Sequence, residues 1–402
     1  NSFASFASFA SFASFASSRQ SFYYTGKLMD LSSEDSLRLN VLLRQGLQAV
    51  RIDESRMTVH ALTQRGEAKV SLNANCRPDQ YVRNVKALFS SHSLGSPGGY
   101  PVYLKRWTRM GQAKDDSLEQ LLLLGEEEAV VAVVHAAGLS DELARRAWWC
   151  MPTAENARRM LEKPAVVAGE MGPILAAFLV ENLPFEEEAL AMIDSVRAAL
   201  QPGLISDEMR HSLWAKAKMK SAYYVGFLQA LPDDLPTEVG AHVDYENLKQ
   251  KLTDLVTQDN KAARQLLRVM SASGQNYLHT VDAALQRPSN QDMVTSLFMT
   301  LENYFSDICP GFEDRRDINN IQQSAQQFCE CGESQSDDMK VLMATVPEYK
   351  AKICAMAVLS GYCETLLFPV FGQTDAVGSL MRKKIAHLVE PLQQQLKILR
   401  SP

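Results

Sequence analysis

The residues best suited to chemistry are two thiols one position apart, in Cys329-Glu-Cys331-Gly. A thiolate is both a nucleophile and a soft ligand, so such a pair could take up sulfane sulfur, share a metal ion or close a strained disulfide. The motif falls in a polar, exposed turn at a helix end, which suits a sulfur-binding or redox pair. Two cysteines at a helix terminus without chemical duty are the alternative. A zinc site needs four ligands, and no second Cys-x-x-Cys or His-x-His pair supplies them; Cys309, Cys354 and Cys363 are the nearest thiols. Cys150, Cys354 and Cys363 lie in apolar runs and read as core. No metal or cofactor is expected.

Tyr103, Lys105, Arg106, Trp107 and Arg109 combine rings and cations within seven positions. That is the minimum for base stacking with phosphate contact on a single-stranded nucleic acid, and equally a half-buried edge strand with solvated charges. Arg145-Arg146-Ala-Trp148-Trp149 has the same two readings, with one tryptophan packed and the arginines stretched over it. Glu126-Glu-Glu128 and Glu186-Glu-Glu188 could pair carboxylates, but each opens a helix, where negative charge offsets the helix dipole. Gly95-Ser-Pro-Gly-Gly99 lacks both the P-loop ending and dinucleotide spacing, with no convincing helix directly after it, so it reads as a turn. The seven histidines are scattered singly, and neither His-Glu-x-x-His nor Gly-x-Ser-x-Gly occurs. The chain thus reads as a protein without an enzyme's signature.

The elements that must hold these residues fall into regions of different charge and period. The 402 residues are enough for two or three cores. From 30 to 114 there are 13 Lys and Arg against 7 Asp and Glu; from 115 onward there are 26 against 40. The front is basic and the back acidic. Residues 1–28 hold a Ser-Phe-Ala repeat of period three, which matches neither helix nor strand. Met29 reads as the natural start and 1–28 as a low-complexity extension outside the fold. The seven cysteines are spread without regular spacing and no secretory signal precedes them, so reduced thiols in a cytoplasm are expected.

Residues 29–114 read as a small α+β domain. A helix over Glu34–Gln48 precedes alternating runs at Val50–Asp53, Met57–Leu62 and Ala68–Leu72, which predict a three-stranded antiparallel meander. A helix over Pro78–Ser91 and a strand over Val102–Trp107 follow. Over 115–235, short apolar helices between close Gly and Pro breaks predict an α-solenoid-like array, and over 236–402 longer helices predict a bundle. Those are Asp244–Met270, Gln291–Asp307, Asp317–Glu330, Pro347–Phe368 and Gly378–Leu399. Ala165–Val180 and Ile353–Val370 are apolar but interrupted by Glu and Pro, and read as buried helices, not membrane spans. The fold class is mainly α with a small amino-terminal α+β domain.

Three stretches carry a family resemblance: Met29-Asp-Leu-Ser-Ser-Glu-Asp-Ser-Leu-Arg-Leu-Asn-Val-Leu-Leu; Leu94-Gly-Ser-Pro-Gly-Gly-Tyr-Pro-Val-Tyr-Leu with Arg106-Trp-Thr-Arg-Met-Gly111; and Ser117-Leu-Glu-Gln-Leu-Leu-Leu-Leu-Gly-Glu. They resemble the DsrS family, soluble bacterial proteins tied to the dissimilatory sulfite reductase system that oxidises stored sulfur. The resemblance implies a cytoplasmic accessory or regulatory role with sulfur-oxidation proteins as partners, and supplies no catalytic residues. Two further functions stay open: a nucleic-acid-binding regulator acting through the basic domain, and a thiol-dependent sulfur protein using Cys329 and Cys331.

Overall fold

The computed structural model describes residues 31–110, 118–330, 336–372 and 376–401, and for 105–110 the backbone alone. The expected extension over 1–28 and Cys331 lie outside these residues. The chain divides into two compact units, one up to Val133 and one from Val134. It is mainly helical, with a three-stranded antiparallel sheet followed by a long succession of helices.

In the first unit, α1 (Ser33–Leu43) leads into the meander of β1 (Leu47–Asp53), β2 (Thr58–Thr63) and β3 (Gly66–Ser71). Then come α2 (Pro78–Leu94), α3 (Gly99–Met110), α4 (Leu118–Leu121) and α5 (Glu127–His135), the last running through the boundary. The meander forms where alternation predicted it. Val50, Val59 and Ala61 are buried against Leu39, Leu42, Tyr81, Val85 and Phe89, with Ile52, Ala68 and Val70 at the margin. Arg51, His60 and Lys69 stand in register across the strands. Asp35, in the first turn of α1, is fully buried. Its Oδ2 accepts from the Tyr81 hydroxyl at 2.5 Å and from Asn73 N–H at 2.7 Å, joining α1, α2 and the end of β3.

The strand expected over Val102–Trp107 is instead part of α3. Tyr100, Tyr103, Leu104 and Trp107 recur at helical spacing, and Pro101 sits in the first turn, where its missing N–H costs nothing. The glycine loop therefore does lead directly into a helix.

In the second unit, α6 (Asp141–Cys150), α7 (Ala154–Met160), α8 (Pro164–Val167), α9 (Met171–Asn182), α10 (Ala189–Ala199), α11 (Asp207–Ala217) and α12 (Ser221–Ala230) come first. They are followed by α13 (Tyr245–Thr257), α14 (Lys261–Met270), α15 (Ala272–Gln286), α16 (Gln291–Tyr304), α17 (Ile318–Glu330), α18 (Asp337–Thr345), α19 (Lys350–Leu359), α20 (Glu364–Phe371) and α21 (Gly378–Arg400). One core runs from Leu183 to Leu399, so helices on both sides of position 235 share it. Within it α10 lies against α12, α12 against α15, and α15 against α21.

Two expected long helices are broken. Asp244–Met270 divides at Asp259, whose φ of +65° no helix tolerates, and Asn260 starts α14 by accepting from Ala263 N–H at 2.8 Å. Pro347–Phe368 bends by 58° between Leu359 and Glu364. Gly361 lies in that break, where a Cβ would collide with Ile321 and Phe312. Helices α11, α12, α15 and α18 were not anticipated, although Ser206, Ser271 and Ser336 cap three of them. Among the described residues no single helix is long and apolar enough to cross a membrane.

The core also holds an aromatic stack. Tyr277 and Tyr304 lie face to face with ring centroids 3.7 Å apart, and the Arg268 guanidinium covers Tyr304 at 4.1 Å. Burial pushes both phenols up. The Tyr304 hydroxyl has no hydrogen-bond partner among the described residues. Two tyrosines should therefore respond oppositely to loss of the hydroxyl. Tyr81→Phe should lower the unfolding free energy by about 1–3 kcal/mol, because it strips a donor from buried Asp35. Tyr304→Phe should leave stability unchanged or raise it by up to about 1 kcal/mol. Denaturant unfolding of both variants at pH 7 checks the contrast.

Candidate functional site

Cys329 sits on the face of α17 that also carries Ile321 and Ala325, at helical spacing, and this face packs on α19. It is therefore buried and joined to Cys354 by a disulfide with Cα atoms 6.0 Å apart. This corrects two expectations, that Cys329 is an exposed thiol and that the cysteines are all reduced. Cys331, the other half of the expected pair, lies outside the described residues. Among those residues no group of three or more His, Cys, Asp or Glu is arranged to hold a metal ion.

Tyr103 stacks on Tyr100 with ring centroids 6.3 Å apart. Lys105, Arg106, Trp107 and Arg109 are on α3, with side chains outside the described residues. The start of α3 is met by a carboxylate of the protein itself: Glu126 accepts from Tyr100 N–H at 2.9 Å. Burial pushes this carboxyl up, with the Tyr100 N–H and Lys86 acting against it. Arg145 and Arg146 converge on Glu142, at 2.7 and 2.8 Å, and Trp148 packs its edge on Phe178. Glu186 pairs with Arg158 at 3.1 Å.

Lys352, which no local pattern marks, is 8% exposed. Its ammonium group donates to Ile398 O at 3.0 Å and to Ser401 O, and lies 3.0 Å from His242 Nε2. Burial lowers its pKa. Its donors are directed at two carbonyls, which suits it to close the end of α21.

A different arrangement gathers exposed apolar groups. Four corners between helices lie along one edge of the second unit, joined by hydrogen bonds. Tyr223 Oη donates to Leu183 O at 3.2 Å and Lys220 Nζ to Glu186 O at 3.5 Å, tying the α9–α10 corner to the α11–α12 corner. Ser221 Oγ donates to Arg287 O at 2.9 Å, adding the α15–α16 corner. Gly378 N–H donates to Ser289 O at 3.3 Å and Arg382 to Pro288 O at 3.4 Å, adding the start of α21. These corners carry Phe185 and Met219, 80% and 88% exposed, with Val377 and Leu380. Exposed Lys216, Lys218, Arg382, Lys383 and Lys384 lie beside Met219 and Leu380, and exposed Glu187 and Glu188 lie beside Phe185. Large apolar side chains held in water among charges of both signs are suited to a protein contact.

Two measurements follow. Alkylation in denaturant without reductant should spare Cys329 and Cys354, and reduction should cost about 3.5 kcal/mol of unfolding free energy, the loop-closure term for their separation of 25 residues; equal labelling of all seven cysteines contradicts the bond. Hydrogen bonds from Arg145 and then Arg146 hold the Glu142 carboxyl down to about 2. A carboxyl depressed on folding stabilises above its free value and loses that contribution as pH falls through the folded one. A carboxyl carbon titration should thus place the Glu142 midpoint near 2, not near 4.5. No protein-family model, curated protein or solved structure matches the chain.

Proposed function

We propose that this chain is a non-enzymatic accessory protein that works by holding partner proteins, and that the corner rim of its second unit is the holding surface. The observation that carries the proposal is the hydrogen-bonded row of corners with Phe185 and Met219 standing exposed on it. A soluble fold gains nothing from fixing two large apolar side chains in water, whereas a contact surface does. The lysines and arginines beside Met219 and Leu380 favour an acidic patch on the partner, and Glu187 and Glu188 beside Phe185 a basic one. The setting in cytoplasmic sulfur oxidation, with proteins of that pathway as partners, rests on the resemblance of the chain from Met29 onward to the DsrS family, strongest before Glu126.

The test is affinity capture from the protein's own cell extract, with nuclease-treated and thiol-blocked controls. Wild-type protein should retain the same partners under all three conditions. Phe185→Asp with Met219→Asp should lose them, and Lys216→Glu with Lys218→Glu should weaken them, while circular dichroism and melting temperature stay unchanged because all four side chains are exposed. Partners lost on nuclease treatment would transfer the function to nucleic-acid binding by the basic first unit. Loss on thiol blocking would transfer it to the cysteines.

A further inference from the structure

Two free cysteines meet at one guanidinium in the second unit. Cys309 follows the short helical turn Ser306–Ile308 after α16, and Arg315 donates from Nη2 to its sulfur at 3.4 Å. The same guanidinium hydrogen bonds with the Cys363 thiol, pairs with Glu302 and covers the Phe312 ring at 5.3 Å. All five donors of a guanidinium leave one small planar head, so sulfurs that both reach it are neighbours. The fold sets this meeting. Ile321 lies beside Gly361 and Cys329 is bonded to Cys354, so α17 and α19 run antiparallel. The chain before α17 is thereby brought to the corner after α19, where Phe312 also lies beside Gly361. Cys309 is half-buried, with Gly311 and Glu313 exposed close by in the chain. Cys363 is buried just before α20, and its sulfur caps no N–H of that helix.

We infer that Cys309 and Cys363 are a hydroperoxide-reactive pair, in which the more open Cys309 attacks and buried Cys363 resolves. The Cys309 sulfur takes the distal oxygen of ROOH; the O–O bond breaks, ROH leaves with the proton of the thiol, and Cys309 becomes a sulfenic acid. Negative charge passes from the sulfur to the leaving oxygen in that step, and the Arg315 donors are placed to meet it. The Cys363 sulfur then attacks the Cys309 sulfur, the S–O bond breaks, and the hydroxyl leaves as water with the Cys363 proton. The two thiols lose two electrons and the hydroperoxide gains them. Each chain reacts once and stays oxidised until a thiol reductant reopens the bond, so the pair registers an oxidant without turning over. The new bond ties the loop before α17 covalently to the α19–α20 corner, where Arg315 held it by hydrogen bonds. The surroundings favour a small neutral oxidant: Glu302, Glu313, Asp314 and Asp317 outnumber Arg315 and Arg316 there, which disfavours an anionic disulfide such as glutathione disulfide.

The test is mass spectrometry of the full chain, exposed to a slight excess of hydrogen peroxide and then alkylated in denaturant. Cys309 and Cys363 should lose label together, about tenfold or more faster than exposed Cys76 of the same chain, and peptide mapping should find them linked. Cys363→Ser should leave Cys309 as a sulfenic acid that dimedone traps, formed at the wild-type rate. Arg315→Gln should slow the loss of Cys309 label about tenfold. Circular dichroism confirms that both variants are folded. Glutathione disulfide in place of peroxide should oxidise Cys309 no faster than Cys76. Peroxide oxidation of wild-type Cys309 no faster than that of Cys76 overturns the inference, as does a bond from Cys309 to any cysteine other than Cys363. So does a folded Arg315→Gln chain that reacts at the wild-type rate, a folded Cys363→Ser chain that yields no sulfenic acid, or a faster reaction with glutathione disulfide than with peroxide.

Discussion

Everything in this molecule depends on closing the open hydrogen bonds at helix ends. Each helix leaves four N–H groups and four C=O groups without an internal partner, and here the chain is cut into helices of 4 to 23 residues, so ends are frequent. Local caps serve many starts: Ser140, Thr153, Ser206, Asn260, Ser271, Asn290 and Ser336 each accept from an N–H of the first turn. Other ends are closed by a different helix. Asp141 accepts from Glu170 and Met171, Gln265 donates to Tyr304 O, Gln201 to Leu161 O, and Lys352 to Ile398 and Ser401. These bonds act at a distance in sequence, so closing one end also fixes which helix lies beside it.

The same constraint explains what the sequence could disclose. The meander was legible because one buried face imposes a period of two, and α2 and α21 because buried residues recur every three or four. The break at Asp259 was not, because an aspartate in the left-handed region looks like any polar residue on a helix surface. Gly361 was hidden for a related reason: the collision it avoids is with Ile321, 40 positions earlier. Val102–Trp107 fitted alternation and helical spacing alike, and only Pro101 in a first turn separated them. Cys329 was misplaced because spacing to Cys331 drew attention along the chain, whereas the helix face turned it toward Cys354.

The rim was out of reach of any local pattern. Its corners lie near positions 185, 219, 288 and 378, and no short window contains two of them. Weak signals existed: Phe185 follows Pro184, and Met219 stands among three lysines, so each is an apolar residue where a corner should be polar. Beneath them five hydrogen bonds fix the backbone, so in the proposed role little backbone freedom is left to lose when a partner lands.

The tether at Lys352 also bears on how the protein is made. His242 meets Ser401 across 159 positions, and Gln275 meets Leu399 across 124. At the usual pace of synthesis, roughly 8 to 32 s separate the emergence of His242 from that of its partner. The last helix packs chiefly on α19, so the surface that receives Leu388, Leu392 and Leu396 is assembled only once Leu359 has emerged, 40 residues and roughly 2 to 8 s before Leu399. Until His242 and Gln275 meet the end of α21, the core they border stays open on that side.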